Sequence, residues 1–181
     1  MRQYAINLRE QRRLQARWRS DEARLAGIIM LQNESIEVVV RGRRLNVYGS
    51  PLSPFYCDWA FSYAPDEDPW RIREDVDIVI THSPPKGTMD LVPGLVHDGH
   101  VGCPHLRDRI SQVKPMLHVF GHIRECLLLL LREKKLTCTD EGAEQGLQRT
   151  SLDDGGEILS VNAALLNERY EVAYDATVVD L

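Results

Sequence analysis

With 181 residues, 43% of them hydrophobic, the chain carries enough apolar material for one core and is too short for two comfortable ones. Its formal net charge of −5 provides no bulk attraction to DNA, RNA or an anionic membrane, so an anionic ligand would have to be held locally. Four cysteines without a CxxC pair point to free thiols in a reducing, cytoplasmic setting, and the longest apolar run, residues 127–131, falls far below the roughly 20 residues that span a bilayer.

Residues 1–31 read as helical, with Leu8, Leu14, Trp18 and Leu25 available for one face and Arg9, Arg12, Arg13, Arg17, Arg19 and Arg24 elsewhere. An Arg-rich start has the character of an organelle-targeting segment, but a solvated helix face is the preferred reading. Residues 35–40 and 45–48 are β-branched or apolar runs on either side of Arg41-Gly42-Arg43-Arg44, which predicts a hairpin with a short basic turn. The segment Gly49-Ser50-Pro51-Leu52-Ser53-Pro54 is expected to break regular structure, and the aromatic residues 55–63 to form a packed loop or short helix.

Val76-Asp77-Ile78-Val79-Ile80 predicts a strand buried on both faces and ending in Thr81-His82. A Pro- and Gly-rich loop follows over residues 83–102. Residues 104–113 predict a short helix, opened by Pro104 in its first turn and stopped by Pro115. Residues 116–120 predict the next strand, which runs into Gly121-His122. Residues 134–156, charged and aperiodic, read as a surface insertion; residues 157–164 and 171–179 are the last two strand candidates.

All six histidines fall between positions 82 and 122. His118 alternates away from the strand end and reads as a core residue with its hydrogen bonds satisfied. His97, His100, Cys103 and His105 have zinc-ligand chemistry, but their spacing matches neither paired CxxC hooks nor a helical HExxH site. His82 and His122 each end a predicted buried strand, where open α/β sheets place ligand sites. Two neutral imidazoles there suit a divalent Mn, Fe or Zn ion if carboxylates complete the set; the residues alone leave metal and structural roles equally open.

The segments YGSPLSP (residues 48–54), DIVITHSPP (77–85), VGC (101–103) and LHVFGHIRE (117–125) resemble, in order and spacing, the calcineurin-like metallophosphoesterases, short single-domain branch. The resemblance runs from about Ile36 to Glu125 and resumes weakly at Val161-Asn162-Ala163. It implies an α/β chain, an incomplete metallophosphoesterase-type β-sandwich flanked by helices, that acts in metal-dependent hydrolysis of phosphoric monoesters or diesters. On this reading residues 1–35 are an N-terminal helical segment. Residues 36–181 are the C-terminal portion of a phosphoesterase domain, with a divergent, flexible insertion at 132–156. His82 and His122 are the implied metal ligands, and a small phosphorylated compound the implied substrate, with no nucleic acid or membrane partner expected.

The departures from the family pattern are as specific as the matches. Where GHxH supplies a second histidine the chain has Arg124, which cannot ligate a cation but has a guanidinium fork suited to phosphate. The DxH, GDxxD and GNH[ED] motifs would precede the hairpin, and residues 1–32 contain none of them; the candidate carboxylates there are Asp21 and Glu22, in a helical context. The expectation is therefore one metal site or none, and weak or absent turnover by this chain alone. The alternatives are a non-catalytic phosphate- or nucleotide-binding remnant and a truncated gene product.

Overall fold

The computed structural model describes residues 7–55, 60–64, 66–92, 99–123, 146–152, 156–166, 171–172 and 176–181. The chain divides into two compact units, Met1–Leu31 and Gln32–Leu181. In the first, helix α1 (Leu8–Trp18) starts at Asn7, whose side-chain oxygen accepts from the Arg9 and Glu10 amides. Helix α2 (Asp21–Leu25) starts at Ser20, whose hydroxyl accepts from the Ala23 amide. The capping preference of Ser20 thus splits the predicted helix in two, and neither piece buries a residue. No helix among the described residues is long and apolar enough to cross a membrane.

The second unit is an α/β structure built on a six-stranded mixed sheet in the order β1-β2-β5-β6-β8-β7. Strands β1 (Glu34–Val40) and β2 (Arg43–Ser50) form the expected hairpin. Its turn is tighter than the sequence suggested, because Arg41 and Gly42 both take positive φ (51° and 83°), the two-residue geometry that matches strand twist. A two-stranded parallel ribbon, β3 (Ser53–Pro54) with β4 (Ser62–Tyr63), lies outside the main sheet. β5 (Ile78–Thr81) leads through a loop and helix α3 (Pro104–Val113) to β6 (Leu117–Phe120). β7 (Leu147–Ser151) and β8 (Glu157–Asn162) complete the sheet.

β2, β5, β6 and β8 are mutually parallel, with antiparallel strands at both edges. One face, carrying Tyr48, Val79 and Ile158, packs with Leu106, Ile110 and Val113 of α3 and with Tyr63, Trp70 and Ile72. The apolar stripe of α3 supplies the three helix residues at i, i+4, i+7 spacing. The other face gathers Leu117, Leu159 and Val161 in a separate cluster with Ile78, Val119 and Val179.

Several expectations are revised by this arrangement. β5 is not buried on both faces: Val79 lies under α3 whereas Ile80, on the opposite side of the pleat, is 44% exposed. Gly49 and Ser50 continue β2 because they pair with Ile80 and Thr81, so the break begins only at Pro51. Of the aromatic stretch, Tyr63 is buried but Phe55 and Phe61 are exposed. Part of the expected insertion, Leu147–Ser151, is strand β7; its polar composition suits an edge, where the ladder to β8 rather than side-chain burial fixes it. The candidate strand at 171–179 does not form among its described residues, where Val172 makes an isolated bridge to Leu166.

Candidate metal site at the strand ends

Because β5 and β6 are adjacent and parallel at the centre of the sheet, their carboxyl ends lie side by side, and the residues that follow emerge together at that end of the strands. His82 comes one residue after β5 and His122 two residues after β6. Their rings meet, with centroids 4.6 Å apart and planes inclined at 47°. The backbone reinforces the meeting: the His82 amide donates to the Ser50 carbonyl and the His82 carbonyl accepts from the Gly121 amide, both at 3.1 Å. His82 is an exposed residue, yet the protein beneath its ring withdraws it partly from water and holds its pKa below the usual histidine range.

Each histidine sits in a turn fixed by a buried polar neighbour. Thr81 donates its hydroxyl to the Ser83 carbonyl at 2.9 Å, closing a turn around His82. With that proton committed, the same hydroxyl oxygen accepts from His118 Nε2, also at 2.9 Å, which assigns the His118 proton to Nε2. Ser83 in turn donates to the Ser53 hydroxyl of β3 at 3.0 Å. On the other side His122 adopts φ 69°, and the Ile123 amide donates to Gly121 O at 2.8 Å. Asn162, buried at the end of β8, donates from its amide nitrogen to Ile123 O at 2.8 Å and accepts from the Ala164 amide at 3.1 Å.

His118 is in the core, as its position in the strand suggested, but it is not satisfied: Nδ1 has no hydrogen-bond partner. Complete burial pushes its pKa down to about 3, so it is neutral at physiological pH.

The loop after His82 is built around a second buried polar group. Asp90, fully buried, accepts from the Gly87 amide at 3.1 Å and the Gly102 amide at 2.7 Å, and its carboxylate meets His100 Nδ1 at 2.6 Å. Gly102 is required there, since a Cβ at that position would lie 2.6 Å from Pro85 O and 2.7 Å from Asp90 Oδ2. Cys103 is buried as the cap of α3, its sulfur accepting from the Leu106 amide and from Trp70 Nε1. The zinc-type residues of this stretch are thus separated: Cys103 faces the core and His100 faces Asp90, while His97 lies outside the described residues. Arg124, the candidate phosphate ligand, also lies outside them. Asp21 and Glu22 stand in the first turn of α2, in the N-terminal unit.

With metal–nitrogen bonds of about 2 Å, two imidazoles in neighbouring coordination positions have ring centres roughly 4.5–5 Å apart, so the His82–His122 separation fits one shared cation. Among the described residues, however, no group of three or more His, Cys, Asp or Glu side chains is placed to hold a metal ion. The donor set fits as a pair of imidazole ligands and not as a complete two-cation centre. Thr81, Asp90 and Asn162 were not singled out from the sequence. Thr81 and Asn162 lie inside segments that carry the family resemblance, whereas the signal at Asp90 was only a polar side chain in a glycine- and proline-rich loop.

No family model matches the chain. Among curated proteins, Metallophosphoesterase domain-containing protein 1 of Homo sapiens is 43% identical over 106 residues, covering 56% of this chain and 31% of that protein. A UPF0046 protein of Caenorhabditis elegans is 33% identical over 106 residues, covering 56% of this chain and 25% of its own length. An Emericella nidulans protein named as a rhamnogalacturonate lyase is 41% identical over 101 residues, which are 53% of this chain but 9% of that protein. The chain spans less than a third of the length of these relatives. Together the human and nematode relatives support a metallophosphoesterase-like family.

Proposed function

We propose that the chain contributes the two-histidine part of a divalent-metal site used in phosphoric ester hydrolysis, with His82 and His122 as ligands to one cation. The observation that carries this reading is the 4.6 Å approach of the two rings at the ends of adjacent parallel strands. A depressed His82 pKa serves the same end, since it keeps an imidazole lone pair available to a cation at neutral pH. When bound, a divalent ion supplies Lewis-acid polarisation of a phosphoryl oxygen. The protein's own part is to hold both imidazoles at the carboxyl ends of the central strands, His82 through the Thr81–Ser83 turn and His122 through the turn at Gly121.

Turnover by this chain alone is expected to be weak or absent. A two-cation centre needs carboxylate donors as well as imidazoles, and none joins the pair among the described residues. The test is a titration of the folded chain with Co(II), followed by visible absorbance, beside Mn-dependent hydrolysis of bis(p-nitrophenyl) phosphate. Binding that is lost in both His82→Ala and His122→Ala, with little hydrolysis, is the expected result. Hydrolysis that depends on His82 would show a fuller site than proposed. Absence of Co(II) binding by the wild-type chain would remove the metal reading altogether.

A further inference from the structure

His122 presents its ring from a backbone conformation that a residue with a Cβ seldom adopts, φ 69°, and such a conformation persists only where the surroundings over-determine it. The sequence provides no glycine at that position. The constraint comes from the neighbouring strand: Asn162 is the last residue of β8 and pairs in register with Phe120, the last residue of β6. From there its amide nitrogen reaches past the turn to Ile123 O, at 2.8 Å, while its oxygen receives the Ala164 amide. The chain on both sides of that bond is tied as well, since the Ala163 amide donates to Phe120 O at 2.7 Å.

We propose that Asn162 is a positioning residue that holds His122 in its left-handed turn and thereby sets its ring against His82. The role in metal binding rests on the reading of those two histidines as ligands; the role in fixing the turn does not. Asparagine suits the task because the site asks for one donor and one acceptor from a single short side chain, with no net charge to bury. Without the donor, the Ile123 carbonyl loses its partner, His122 relaxes toward ordinary negative φ, and its ring leaves His82.

Asn162→Asp keeps the size and the acceptor but removes the donor at neutral pH, and Asn162→Ala removes both. In the metal-free wild type we expect a ring-to-ring nuclear Overhauser effect between His82 and His122, a large three-bond coupling from His122 Hα to the Gly121 carbonyl carbon that reads positive φ, and a scalar coupling across the hydrogen bond from Asn162 Nδ2 to the Ile123 carbonyl carbon. Both variants should lose the ring contact and change the His122 coupling while the Tyr48 and Val79 core signals stay in place. Their Co(II) affinity should fall about tenfold to a hundredfold, as for other supports of metal ligands. Persistence of the ring contact in a folded variant would overturn the proposal. So would the absence of the cross-hydrogen-bond coupling in the wild type, which needs no variant to fold. A wild-type chain that shows these couplings but binds no Co(II) would sink the metal reading and leave the positioning role of Asn162 standing.

Discussion

Replacing His118 by glutamine should flatten the acid side of the stability curve. His118 is fully buried and its pKa is pushed from 6.5 to about 3 in the folded chain, whereas the unfolded chain binds its proton near 6.5. The unfolded state therefore holds more protons than the folded state at any pH between those values. Stability is at its full value above about pH 6.5 and falls as the pH drops toward 3, with a slope of about 1.4 kcal/mol per pH unit once the unfolded histidine is fully charged. From pH 6.5 to 4.5 this single group costs the folded state on the order of 2–3 kcal/mol, a fall of roughly 5–10 °C in melting temperature for a domain of this size. Glutamine does not titrate, yet its amide nitrogen can still donate to Thr81 as His118 Nε2 does. Thermal melts of both proteins across pH 4.5–7.5 check the reasoning. The wild type should lose stability more steeply than His118→Gln below pH 6.5, and His82, whose pKa is lowered in the same direction, should contribute equally to both curves. Parallel profiles would refute the assignment of acid sensitivity to His118.

Thr81→Val removes the hydroxyl that joins His118 Nε2 to Ser83 O, leaving a buried N–H without an acceptor. It should destabilise by about 2–4 kcal/mol in urea, with Thr81→Ser costing less; equal costs would mean that the methyl group and not the hydroxyl matters at this position. Gly102→Ala should destabilise by about 1–3 kcal/mol or more, because the added methyl would sit within contact distance of Pro85 O and Asp90 Oδ2, both held by the loop. A melting temperature within a degree of wild type would show that the loop can open there at no cost.

Residues 104–113 declared their helix through Pro104 at its start, the apolar spacing of Leu106, Ile110 and Val113, and Pro115 beyond its end, and the helix forms over those residues. The β1–β2 hairpin and the strands ending near His82 and His122 were equally plain from local β-branched runs. Such signals are local: propensity and periodicity act over a few residues, so a single chain displays them. β7 gave no such signal, because an edge strand is held by its ladder and need not be apolar. Phe55 and Phe61 misled for the converse reason, since hydrophobicity favours burial but does not say that another element will arrive to cover a side chain.

The sequence by itself determined that two histidines follow two β-strands, that a short helix lies between those strands, and that His118 belongs to the core. Tertiary structure alone decided that the strands are neighbours, because strand order depends on pairing between residues some 40 positions apart, as Val79 with His118. It also decided that Thr81 and Asn162 brace the two turns, for a hydrogen bond between distant side chains leaves no periodic trace in the chain. Both imidazoles are local facts of composition; their 4.6 Å approach is a consequence of parallel pairing between β5 and β6, which no short window of residues contains.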